Sequence, residues 1–274
     1  MSHAWRKTTR KNPTNYAALW VPRSVHYCGY LNAHDLVWGE EGLVGVNTLF
    51  SCLFRLDEDH SFAPVWRPPF IRALASGDGC HLNGLALAPT EGTQAVVTAL
   101  GTSAEPDGWR DDKLTGGVLM RVPEGDVVLD GLAMPHSPRW VDDKLYLLLA
   151  ARGELAIADL DDGTYEVIQR VPGFARGLAC YGVGMSKLRP GRLFDVPLAE
   201  EETQCGVAVV HRPSGTLMGT ITYESACEEI YDVQVLPGMR RPGIVGLETE
   251  MHLRALSTPE ETFWMAPEEE HEEA

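Results

Sequence analysis

His81 and Asn83 sit two positions apart in the stretch Gly79-Cys80-His81-Leu82-Asn83-Gly84-Leu85-Ala86-Leu87. On an extended strand two such residues share a face. The apolar run that follows predicts a buried strand. An imidazole and an amide held at the mouth of a β structure suit three tasks: binding a polar ligand, coordinating a metal, or moving a proton. The same polar opening before an apolar strand recurs at His34-Asp35, at His136 to Arg139, at Arg176, and at Glu229 to Asp232.

If these openings converge, the chemistry is specific. His34, His81, His136 and Glu229 form a ligand set for zinc, iron or copper, since imidazole suits these ions and three or four protein ligands are usual. Arg110, Arg139 and Arg176 are suited to clamp a carboxylate or phosphate through paired hydrogen bonds. Trp140 would wall the pocket, with Trp38 and Trp109. Asp35 or Asp232 would serve as general base, with Asn83 beside them. The plainer alternatives are that the histidines hydrogen-bond neighbouring sheets, that the arginines pair with Asp35, Glu229 or Asp232, and that the indoles are packing. No HExxH, GxSxG, P-loop or GxGxxG motif is present, so no local signature selects one reaction. Cys80 beside His81 is no thiol–imidazole pair, because neighbours on a strand point to opposite faces.

The elements that must position these residues are short strands. After each opening come about four apolar stretches separated by turn residues, most cleanly in the third round: Pro135 to Val141, Leu145 to Ala150, Glu154 to Asp159 and Tyr165 to Ile168. Pro123-Glu124-Gly125 marks a hairpin. The openings at 34, 81, 136, 176 and 229 are about 47, 55, 40 and 53 residues apart. A period of this length with four strands per unit predicts an all-β fold, a β-propeller with five visible four-stranded repeats and five or six blades. A two-sheet sandwich is the alternative. In a propeller the first strand of each blade lines the central channel, which would gather the polar openings at one mouth.

Composition bounds the rest. The chain has 274 residues and a formal charge of −16. That charge argues against a nucleic-acid partner, which needs Lys/Arg stripes. Residues 1–15 read as a flexible basic arm carrying Arg6, Lys7, Arg10 and Lys11, residues 16–257 as a single propeller domain, and residues 258–274 as an acidic, disordered tail. The six cysteines are dispersed and form no CxxC, so neither a zinc ribbon nor a thioredoxin-type motif is available. The first residues carry no secretory apolar region, and no stretch approaches the ~20 residues of a membrane helix. A cytoplasmic protein with reduced thiols and no membrane partner is the expectation.

Several strings resemble an uncharacterised bacterial family of hypothetical proteins. They are Asn47 to Leu53, Trp66 to Ile71, Cys80-His81-Leu82-Asn83-Gly84-Leu85, Val97 to Leu100, Gly108-Trp109-Arg110, Met134 to Trp140 and Tyr231-Asp232-Val233. The resemblance covers about residues 20 to 256. It implies a propeller-like all-β domain and supplies no activity. It also suggests six openings where five are visible here, so the arm, the C-terminal stretch or a partner chain, such as a second copy, would complete the ring. The functional expectation is a metal-dependent enzyme acting on a small polar or anionic metabolite at the central channel. The alternatives are a non-catalytic propeller scaffold and a metal-free His/Asp lyase or hydrolase.

Overall fold

The computed structural model describes residues 5–7, 16, 18–40, 42–89, 94–180, 182–188 and 196–265. The turn expected at 90–92, the basic residues Arg10 and Lys11, and the acidic run 266–274 lie outside them. The chain divides into two compact units, residues 28–235 and residues 1–27 with 236–274.

The larger unit is four antiparallel sheets of four strands each, taken in chain order. The first runs from the strand Ala33–Gly39 through Gly42–Asn47 and Cys52–Arg55 to Ala63–Trp66. The second comprises Leu82–Ala86, Ala95–Ala99, Gly117–Val122 and Val127–Leu132. The third comprises Pro135–Val141, Lys144–Leu149, Glu154–Asp159 and Thr164–Arg170. The fourth comprises Phe174–Leu178, Gly182–Ser186, Gly206–His211 and Thr216–Thr222. The first strands of successive sheets lie against one another. The all-β class and the propeller-like repeat are therefore as expected. The count differs: the fifth round, from Glu229, forms no four-stranded sheet, and residues 224–241 contain no strand.

The sheets stack face to face, which explains the continuous apolar strands. Strand residues alternate sides. Leu145, Leu147 and Leu149 join the core shared with Val96, Leu119 and Leu132 of the second sheet. Tyr146 and Leu148 turn the other way, into the core shared with Val183, Met185 and Ala208 of the fourth. Both faces are buried, so Leu145 to Leu149 shows no polar alternation. Each such leucine contributes roughly 1.5–3 kcal/mol by leaving water. An equivalent core joins Val46 and Leu53 to Leu85, Val97 and Met120 between the first two sheets.

The smaller unit holds residues read above as tails. Trp5–Lys7 pairs antiparallel with Thr262–Met265, which pairs with Ala255–Ser257. Ala18–Trp20 pairs in parallel with Pro242–Ile244. Part of the basic arm and part of the C-terminal stretch are thus strands, joined across more than 240 positions of sequence. Among the described residues no helix is long and apolar enough to cross a membrane.

Candidate functional site

Each of the four first strands breaks register at the same place, where its polar opening lies. The breaks fall between Ala33 and Asp35, Leu82 and Gly84, His136 and Arg139, and Ala175 and Leu178. Left-handed backbone accompanies them at His81 (φ 49°), Ser137 (φ 50°) and Gly177 (φ 74°). Such bulges re-aim side chains and interrupt the two-residue alternation. His81 and Asn83 consequently do not share a face. His81 precedes its strand in a left-handed conformation. Asn83 is buried, with its amide donating to the Pro135 carbonyl at 3.0 Å and its oxygen accepting from Thr98 Oγ1 at 2.7 Å.

Two polar layers result. The inner one is a hub around Arg139. Its guanidinium donates to both oxygens of Asp35, at 2.8 and 3.0 Å, and to the Leu85 and Pro138 carbonyls. Asp35 also accepts the Leu85 and Leu36 amides, and Asp232 stands 3.9 Å from Arg139. The first three sheets and the segment after the fourth therefore meet at one ion pair. Asp35 is fully engaged, so it is a brace and not an available base, and Arg139 is committed to it. Asn83, bonded on both sides, is likewise a brace.

The outer layer is the histidines. The His34 and His81 rings are 4.8 Å apart, edge to face. His34 Nδ1 faces the Asn32 carbonyl at 2.9 Å and Thr48 Oγ1 at 2.8 Å, while Thr48 gives its own proton to the Leu82 carbonyl at 2.6 Å. His81 Nδ1 is 2.7 Å from Asp78 Oδ2, and His136 Nδ1 is 2.9 Å from the Met134 carbonyl. Carbonyls and carboxylates only accept, so Nδ1 carries the proton in all three rings. Nε2 is then the basic nitrogen in each. Burial, with His81 beside it and Arg176 near, lowers the His34 pKa to about 4. Burial and the Arg176 guanidinium, then His81 and His34, push His136 well below the ordinary imidazole value. Both are neutral at pH 7. Among the described residues no group of three or more His, Cys, Asp or Glu side chains is disposed to hold a metal ion.

Asp78 was not singled out from the sequence. It lies three residues before His81, in a left-handed turn (φ 51°), and also accepts from Trp109 Nε1 at 3.3 Å. An Asp-Gly turn just upstream of a histidine was the available signal. Trp109 is buried and packs on His81 at 4.4 Å between centroids. Arg110 is exposed, stacks on that indole at 4.3 Å and pairs with Asp107. Its partners are thus the Trp109 ring and Asp107, not an imidazole. Trp140 points the opposite way from its neighbour Arg139, into the core between the second and third sheets, with Nε1 bonded to the Gln94 carbonyl. Trp38 is 78% exposed and walls nothing.

The remaining candidates ride on the segment after the fourth sheet. Ile230 exchanges hydrogen bonds with Ser186 Oγ. The Arg176 guanidinium lies over the Tyr231 ring at 4.3 Å, and the Tyr231 hydroxyl donates to Glu229 at 2.6 Å. Asp232 accepts from Gln234. This strap approaches the fourth sheet closely at Gly177, where an added Cβ would fall 2.5 Å from Asp232 Cα. Gly177→Ala adds left-handed strain to a backbone clash and is expected to lose roughly 2–4 kcal/mol in urea unfolding. Gly219→Ala, which meets nothing within 4 Å, is the matched control and should change little.

Residues 3–245 match the family described as Domain of unknown function (DUF4915). The chain belongs to that family. Membership in DUF4915 covers the whole four-sheet unit and supplies no activity. No curated protein matches the chain. Among solved structures it is similar to the crystal structure of the computationally designed Ika8 protein, at 8% identity and a TM-score of 0.39. That alignment covers 85% of this chain and 58% of the designed one, so the chain spans less than two thirds of the designed protein's length.

Proposed function

We propose that this DUF4915 protein is an enzyme that transfers a proton to or from a small anionic metabolite at the histidine layer. The observation that carries the reading is the Asp78–His81 contact at 2.7 Å. A carboxylate that holds Nδ1–H fixes the tautomer and orients the ring, leaving Nε2 as the nitrogen that can accept a proton. Neutral His34 beside it supplies a second imidazole, and Arg176 supplies the positive charge that an anion needs in a chain of net charge −16. Glu229 and Asp232 line the same strap.

A metal ion is the second reading. In metal sites each ligating imidazole donates its other N–H to a carbonyl or carboxylate, and the Nδ1 contacts of His34, His81 and His136 have that form. Zinc, iron or copper, if held by these rings, would supply a Lewis acid, and the rings would have to draw together to hold it, since as placed they form no metal-holding group.

The test is NMR of the imidazole Hε1 protons during titration with inorganic phosphate, acetate, malonate and succinate. At least one anion is expected to move the His34 and His81 signals and leave the exposed His60 unmoved. Arg176→Gln should weaken that anion at least about tenfold. Silence of both signals across the panel would end the proposal. Once a substrate is in hand, His81→Ala should lower turnover by roughly 10²–10⁴. Elemental analysis of the same preparation separates the readings: a stoichiometric ion lost in His81→Ala favours the metal.

A further inference from the structure

We infer that Cys205 and Cys227 are a redox-active pair, whose oxidation to a disulfide clamps the strap that carries Glu229, Tyr231 and Asp232. The sulfurs lie 3.6 Å apart although the residues are 22 positions apart. All six cysteines are free thiols. Formation of an S–S bond needs the sulfurs to close by about 1.5 Å. Neither cysteine lies inside a strand: Cys205 just precedes the strand Gly206–His211, and Cys227 begins the strap.

Between Cys227 and Asp232 the strap's bonds to the strand Gly182–Ser186 and the residue after it include Lys187 N–H to the Glu228 carbonyl and the Ser186–Ile230 pair. The Cys227 thiol turns back to the Glu229 carbonyl at 3.5 Å. A covalent link here would fix one end of the segment that brings Tyr231 over Arg176.

The chemistry divides between the two thiols. Cys227 is half-buried and Cys205 is buried, so a hydroperoxide reaches Cys227 first. Burial, with Cys227 beside it, raises the Cys205 pKa to about 11, which keeps that sulfur a thiol until its neighbour is activated. The Cys227 sulfur attacks the peroxide, the O–O bond breaks, and water and a sulfenic acid form. The Cys205 sulfur then attacks the sulfenic sulfur. The S–O bond breaks, and the departing hydroxide takes the Cys205 proton as a second water. Two thiols and one hydrogen peroxide give one disulfide and two waters.

The experiment uses the full chain, reduced, freed of reductant, and treated with a few equivalents of hydrogen peroxide. Remaining thiols are alkylated and the peptides mapped by mass spectrometry. The expected product is one cross-link, Cys205 to Cys227, reversed by dithiothreitol and accompanied by a rise in Tm of roughly 5 °C. Cys227→Ser should show neither the cross-link nor the rise. Cys180→Ser, which removes the exposed competing thiol, should show both. Reduced Cys205 and Cys227 alongside oxidised Cys180, or a link to any other cysteine, would overturn the pairing. A Cys205–Cys227 disulfide with unchanged Tm would overturn the clamp.

Discussion

Asp35→Ala is expected to destabilise the four-sheet unit by about 3–5 kcal/mol, more than any other single substitution considered. The carboxylate is 7% exposed and the guanidinium of Arg139 19%, so the pair is largely out of water. Removing Asp35 strands that charge and leaves the Leu85 and Leu36 amides without their acceptor. A buried cation that loses its partner retains its full desolvation cost, which is why breaking a pair is worse than never having had one. In urea unfolding the midpoint should fall with an unchanged slope, and Tm should drop by roughly 10 °C. The double substitution Asp35→Leu with Arg139→Met removes both charges, and it should recover a large part of the loss. Strong non-additivity of that kind identifies one shared interaction. A loss below about 1 kcal/mol for Asp35→Ala would mean that water reaches the hub.

The second large effect is on pH. His34 and His136 have folded-state pKa values below the ordinary 6.5, about 4 for His34 and well below 6.5 for His136. A depressed folded pKa means that the unfolded chain binds the proton first. The stability these rings confer is therefore fully present above pH 6.5 and is lost as pH falls, for His34 down to about pH 4. A proton is worth about 1.4 kcal/mol per pH unit in that window, so His34 alone should cost roughly 2 kcal/mol between pH 7 and pH 5, and His136 acts in the same direction. Falling pH also trims the net charge of −16, which relieves repulsion and works the other way. The clean measurement is the difference between the wild type and His34→Gln, in which that background is unchanged. The variant should lose the His34 share, roughly 2 kcal/mol between pH 7 and pH 5. Equal slopes in the two proteins would mean that His34 is not held neutral by the fold.

Both predictions concern residues that the sequence marks as unusual but does not assign. His34, Asp35, His81, His136 and Arg139 stand out because polar groups recur just before apolar strands. That recurrence was enough to place them near one another. It was not enough to tell which of them are bonded on every side. Asp35 and Asn83 were candidates for catalysis, yet their partners are Arg139, 104 positions away, and the Pro135 carbonyl, 52 away. No local pattern reports such a partner. Asp78 was overlooked for the converse reason: its importance comes entirely from the ring it orients. Trp140 turns away from Arg139 because a strand sends neighbours to opposite faces, whereas Arg110 sits on the short 3-10 turn Gly108–Asp111 and lies over the Trp109 ring.

What the amino-acid order determined by itself is the element list and its class. Apolar runs bounded by Gly, Pro and Asp turns mark nearly every strand of the four sheets, because burial on both faces leaves the run unbroken and the turn residues are chosen by local backbone energy. What only the tertiary structure decided is everything that depends on register and on distant pairing. Four bulges reset which side chains face inward, so the simple alternation fails exactly at the polar openings where it mattered most. The fifth round became a strap instead of a sheet, two terminal segments paired across the length of the chain, and two thiols 22 positions apart came within 3.6 Å. Periodicity encodes which face of a strand prefers water; it carries no information about which other strand will cover that face.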